Sequence, residues 1–111
     1  MFCWICFFTF VHSVSAEKPF DFASTPGKLP KDVVPVEYSV RIVPNIDKFT
    51  FAGNETVKLN VRSSVRQLVL NALELKITDA SIDGKPLPES AIKIDEKDEL
   101  LTLALPSEHG P

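Results

Sequence analysis

The sequence has little of what most enzymatic chemistry requires. Its two histidines are His12 and His109, and its two cysteines are Cys3 and Cys6, so everything after residue 16 holds one imidazole and no thiol. A zinc site takes three or four His, Cys or carboxylate ligands, and the helical H-E-x-x-H that supplies two at once is missing. A Ser or Cys nucleophile needs a base within hydrogen-bond reach, most often His, and no G-x-S-x-G elbow occurs. The four glycines are scattered, so no phosphate-cradling loop can be drawn from them. No catalytic, metal-binding or substrate-binding residue and no cofactor are expected in this chain. Concentrated positive charge is also lacking. The formal net charge is −3 and the pI is near 5.3, which argues against nucleic acid or an anionic membrane as partner. The nearest approach to a basic cluster is Lys58, Arg62 and Arg66, offset by acidic residues elsewhere.

What is present fits one small domain of ordinary globular composition, 44% apolar and 24% charged over 111 residues. The first sixteen residues stand apart. Phe2 to Val11 is an apolar run as long as a signal-peptide core and well short of the roughly 20 residues that span a bilayer. Val14-Ser15-Ala16 then offers short side chains, so cleavage is expected after Ala16, with Glu17 opening the mature chain. No Lys or Arg precedes the run, and a buried hydrophobic strand is the competing reading. The expected compartment is secreted or extracellular, periplasmic in a bacterium, with no membrane span in the mature chain. Cys3 and Cys6 form a C-x-x-C inside this segment, without the βαβ context or second ligand pair that would make it redox or metal chemistry. The mature chain has no disulfide and must be held by its core.

Residues 17–35 carry Pro19, Pro26-Gly27, Pro30 and Pro35, and such a segment builds neither helix nor central strand. It is read as an extended lead-in to a β-domain over residues 36–111. In Glu37 to Val43, Tyr38, Val40 and Ile42 alternate with Ser39 and Arg41, the pattern of a half-buried strand that Pro44-Asn45 ends. Between Lys48 and Arg62 the alternation sets Val57, Leu59 and Val61 on one face, with a bulge or sharp bend expected upstream at Gly53-Asn54. Arg66 to Leu70 reads as a short strand, and Leu75 to Ile82 as another with a slip of phase near Asp79. Asp83-Gly84 marks a tight type I′ hairpin. Ala91 to Ile94 and Glu99 to Leu105 form the last pair, with Leu101, Leu103 and Leu105 on one face. No helical period runs longer than two turns. The expected fold class is all-β, a mainly antiparallel sheet or sandwich.

The remaining polar features have modest readings. Asp95-Glu96-Lys97-Asp98 is a charged hairpin turn that lacks the spacing of a calcium loop. His109, in a Gly-Pro tail, is a solvated surface histidine. Asn54-Glu55-Thr56 is an N-x-T sequon, a glycan acceptor in a eukaryotic secreted protein. Aromatics after residue 16 are few (Phe20, Phe22, Tyr38, Phe49 and Phe51), thin for a binding platform, with Tyr38 and Phe51 expected in the core.

From Lys28 onward the order of short motifs resembles the opening of the M1 family of zinc aminopeptidases. Leu29-Pro30 and Val34-Pro35 precede Tyr38, Val40, Ile42 and Pro44, matching a Y-x-[VIL]-x-[IVL]-x-P strand. Phe51-Ala52-Gly53 matches an F-x-G bend, and Leu68-Val69-Leu70-Asn71-Ala72 with Leu75 matches L-x-L-N-A-x-x-L. Ile82-Asp83-Gly84-Lys85 and Leu101-Thr102-Leu103 fit the hairpins that follow. The resemblance implies a truncated part of a saddle-like N-terminal β-domain, packed against a catalytic domain that binds zinc through H-E-x-x-H and a downstream Glu. That domain also holds the substrate amine on a G-x-M-E-N strand. Neither motif is present, so no site residue carries over and this chain alone is expected to be inactive. Its partner would be the parent's catalytic domain, and peptide substrates would concern it only through that parent, in which it would cover one side of the active-site cleft. The last strand runs close to Pro111, as in a truncated domain with an unpaired edge. The alternatives are a free-standing secreted β-sandwich binding module and an inactive domain that partners another peptidase chain.

Overall fold

The structure, a computed structural model, describes residues 17–111. The signal segment, its cleavage point after Ala16, Cys3, Cys6 and His12 lie outside the described residues. Seven strands follow in chain order: β1 Val33–Asn45, β2 Thr50–Val61, β3 Val65–Asn71, β4 Ser81–Ile82, β5 Lys85–Pro86, β6 Ile92–Asp95 and β7 Leu100–His109. One 3-10 turn, Glu89–Ala91, precedes β6. The described part is all-β and every strand pair is antiparallel.

The strands group into a long β1–β2 hairpin, a three-stranded sheet ordered β3–β7–β6, and the two-residue β4–β5 ribbon. Period-2 alternation explains the three-stranded sheet directly. Leu68 lies opposite Leu103 and Leu70 opposite Leu101, while Ile92 and Ile94 face the same two leucines from the other side. Directly opposed residues share a face, so these side chains form one apolar layer. Leu68, Ala72, Leu101 and Leu103 are its buried centre, ringed by Val33, Val65, Leu70, Ile77, Ala80, Ile82, Leu87, Ile92 and Leu105. Leu101 and Leu103, at 8% exposure, are among the most covered, so this is a small core.

Asp83-Gly84 turns β4 into β5 with φ of 50° and 74°, the two positive values that a type I′ turn demands. Pro86 is the last residue of β5, whose short run needs little from the donor that proline lacks. Two larger hairpins share one loop design. Asn45 accepts the amide of Lys48 on its side-chain oxygen, and the loop closes with Phe49 at φ 51°. Asp95 accepts the amides of Lys97 and Asp98, and that loop closes with Glu99 at φ 57°. An Asx side chain replaces backbone partners at the start of each loop, and one left-handed residue returns the chain to the sheet.

Besides the last strand, which lies between β3 and β6 and is therefore no unpaired edge, three local expectations are corrected. The β1–β2 register runs unbroken through Gly53, opposite Ile42, and Asn54, opposite Arg41; the irregularity lies at Pro35 to Glu37, where Val36 is the extra residue. Gly53 serves a different need: a Cβ there would stand 2.5 Å from the Arg41 carbonyl oxygen. Leu75 to Ile82 pairs only at Ser81–Ile82, although Ile77, Ala80 and Ile82 do pack against the core. Its apolar spacing reports contact with the sheet rather than membership of one. Third, Tyr38 and Phe51 are exposed. β1 begins at Val33, within the Pro-rich segment, with Pro35 accommodated in a sheet that has two strands among the described residues.

Candidate functional site

The β1–β2 hairpin has two unlike faces. Tyr38 pairs with Val57, Val40 with Glu55, Ile42 with Gly53 and Pro44 with Phe51, which places Tyr38, Val40, Ile42 and Phe51 on one side. Glu37 with Lys58, Ser39 with Thr56 and Arg41 with Asn54 occupy the other. The second face is solvated, and its Lys58–Glu37 ion pair of 2.7 Å is open to water. The first face is apolar apart from Glu55, which stands opposite Val40, and is uncovered among the described residues. Tyr38 is 58% and Ile42 61% exposed, and Phe49 at the hairpin tip is 94% exposed. A contiguous apolar surface of this kind marks an interaction surface, since water contact with it is unfavourable.

The charged residues do not converge. Lys58, Arg62 and Arg66 are engaged separately: Lys58 with Glu37, Arg66 with Glu108 at 3.0 Å, and Arg62 lying 6.0 Å from the Phe22 ring centre. The Asp95 to Asp98 loop spends its first carboxylate on its own backbone amides. His109 Nε2 stands 3.8 Å from an Asp83 carboxylate oxygen, while its Nδ1 lies 3.0 Å from the Ser107 carbonyl. No third ligand joins that pair, and among the described residues no group of three or more His, Cys, Asp or Glu is close enough to hold a metal. The donor set does not fit a zinc ion. Among the described residues no helix is long and apolar enough to cross a membrane.

One organised polar feature had no signal in the sequence. Lys31 Nζ donates to the carbonyls of Phe22 and Thr25 and sits 4.9 Å above the Phe22 ring. Asp21 accepts the amides of Ala23 and Ser24, each at 3.2 Å. The Ser24 hydroxyl and then the Ala23 amide hold its carboxyl below the usual carboxylate range. The Asp32 backbone carbonyl accepts from the Arg62 and Ser63 amides, and Lys28 donates to the Asp98 carbonyl, so the lead-in is tied to both hairpins. A shallow open cleft bounded by Ala23, Lys31, Asp32, Arg62 and Ser63 results. It contains no nucleophile paired with a base.

Asn54 and Thr56, two residues apart on β2, both emerge exposed on the polar face. The sequon is therefore presented away from the apolar stripe.

Comparison with known proteins finds relatives among the aminopeptidases. The chain is 35% identical over 94 residues to aminopeptidase N of Acetobacter pasteurianus, covering 85% of this chain and 26% of that protein. It is 34% identical over 82 residues to aminopeptidase M1 of Arabidopsis thaliana, covering 68% of this chain and 9% of that protein. Over 61 residues it is 39% identical to aminopeptidase 2 of Candida albicans, with 55% and 7% covered. The chain thus spans about a quarter or less of the length of these relatives. The Peptidase M1 N-terminal domain matches residues 34–110, which take in the buried centre of the core and, save Val33, all of both large hairpins. This chain belongs to the Peptidase M1 N-terminal domain family.

Proposed function

We propose that this chain is the non-catalytic N-terminal β-domain portion of an M1 zinc aminopeptidase, a protein that removes N-terminal residues from peptides. The observation that carries this reading is the family match over residues 34–110. The relatives are named aminopeptidases and are several times longer. Zinc and the bond-breaking chemistry then belong to the parent's catalytic domain, and this chain's contribution is shape. The apolar face of Tyr38, Val40, Ile42 and Phe51 packs against the rest of the parent, and the domain covers one side of its cleft. Each of these side chains is 57–61% exposed, so covering it would contribute part of the about 1.5–3 kcal/mol that full burial of such a side chain is worth. The proposed organisation is a signal segment over 1–16, a lead-in over 17–35 and the partial β-domain over 36–111. The proposed compartment is extracellular, or periplasmic in a bacterium. The family match favours this reading over a free-standing binding module.

The test is hydrolysis of a panel of aminoacyl fluorogenic substrates by the purified chain, with and without added zinc. Background rates and no retained zinc are expected. Zinc-dependent cleavage that co-purifies with the chain, and persists when it is made in a host lacking its own M1 aminopeptidase, would overturn the reading.

A further inference from the structure

We infer that Asn54 is an N-glycan acceptor whose sugar leaves from the polar face of the β1–β2 hairpin and keeps that face permanently in water. Asn54-Glu55-Thr56 is the one N-x-[ST] tripeptide in the sequence, and its middle residue is not proline. β2 places Asn54 and Thr56 on the same side, both exposed, so amide and hydroxyl emerge together. Across the pair stand Arg41 and Ser39, a flexible and a small polar side chain that leave room for a sugar stalk. The next residue along the strand on that face is Ala52, which adds no obstruction.

Sidedness gives the modification a physical consequence. A glycan is bulky and strongly hydrated, so a face that bears one cannot be buried against another protein surface. The glycan would thereby assign the two sides of the hairpin: Tyr38, Val40, Ile42 and Phe51 inward, Glu37, Arg41, Asn54 and Lys58 outward. It would also shield a two-stranded ribbon whose free edges invite pairing with other chains. The inference rests on the export proposed above and on a compartment with glycosylating enzymes.

The experiment uses the full chain expressed in a eukaryotic cell with an added secretion signal ahead of Met1, so that translocation does not depend on residues 1–16. Secreted and luminal protein is treated with peptide N-glycosidase F and compared on gels and by mass spectrometry. The expected result is a mobility shift on treatment that is absent in Asn54→Gln and in Thr56→Ala, and kept in Thr56→Ser. Translocated wild-type chain without a glycan would overturn the inference. A second reading addresses the face: an apolar fluorescent dye should bind the glycosylated and the enzymatically trimmed chain equally, because the apolar stripe is on the far side. A severalfold rise in dye binding on trimming would show the sugar covering that stripe and would overturn the sidedness. Neither outcome touches aminopeptidase activity, so failure here is distinguishable from failure of the proposed function.

Discussion

In the β6–β7 hairpin a loop opened by Asp95 leads into strands whose leucines are buried, while a loop of the same design opened by Asn45 leads into strands whose large apolar residues stay in water. Both pairs alternate apolar and polar residues, and both close through one left-handed residue. The difference is what lies above them. Leu101 and Leu103 are covered by β3 and by the irregular segment carrying Ile77, Ala80 and Leu87. Nothing among the described residues lies over Tyr38, Val40 and Ile42. Local chemistry is therefore enough to form a two-faced ribbon, and a second layer is needed before that ribbon contributes to a core.

The contrast can be broken most sharply by truncating one residue in each region. Leu103→Ala removes a side chain opposed by both Leu68 and Ile92 and should destabilise the chain by about 2–5 kcal/mol. Ile42→Ala in the exposed stripe should change stability by no more than ~0.5 kcal/mol. Urea unfolding of both variants checks this, and equal losses would mean that the stripe is covered in solution. A smaller effect is expected at Gly53. An added methyl must push away the Arg41 carbonyl, and Gly53→Ala should cost about 1–3 kcal/mol, as overpacked sites do. Its signature should be faster amide exchange along β1 and β2 with the β3–β7–β6 sheet unchanged. Loss of protection in both sheets together would show them to be one cooperative unit.

Weaker still is the Glu37–Lys58 pair. Both partners are largely exposed, so a double-mutant cycle with Glu37→Ala and Lys58→Ala should give a coupling of ~0.2–1 kcal/mol that fades with added salt. The last expectation concerns pH and the lead-in. The Asp21 carboxyl is held below its ordinary value by Ser24 and Ala23. Its contribution to the local turn is present above the unfolded carboxylate range and is lost as pH falls through the lowered folded value. Chemical shifts of the Ala23 and Ser24 amides should report that loss at acid pH, and Asp21→Asn should remove the transition. A turn that loosens instead toward alkaline pH would contradict the assignment.

Much of this protein could be read before any coordinates. The Asp83-Gly84 turn was legible because two consecutive positive φ values leave few residue choices. The face of Leu68 and Leu70 and that of Leu101 and Leu103 were each legible because side chains alternate with period two, while the pairing that joins them was not. The segment from Leu75 to Ile82 misled because its apolar residues meet the core without a neighbouring strand to pair with along most of its length. The Lys31 knot around the Phe22 and Thr25 carbonyls left no trace in the sequence, since any lysine near a loop could have made it.

By itself the sequence determined the all-β class, the turns, the alternating faces and the order of motifs shared with M1 peptidases, because each depends on neighbours within a few residues. Only the tertiary structure decided which faces are covered, why a side chain at Gly53 would press on the Arg41 carbonyl, where the β1 irregularity falls and how the lead-in is fastened. These depend on contacts between residues distant along the chain, whose partners no local pattern encodes.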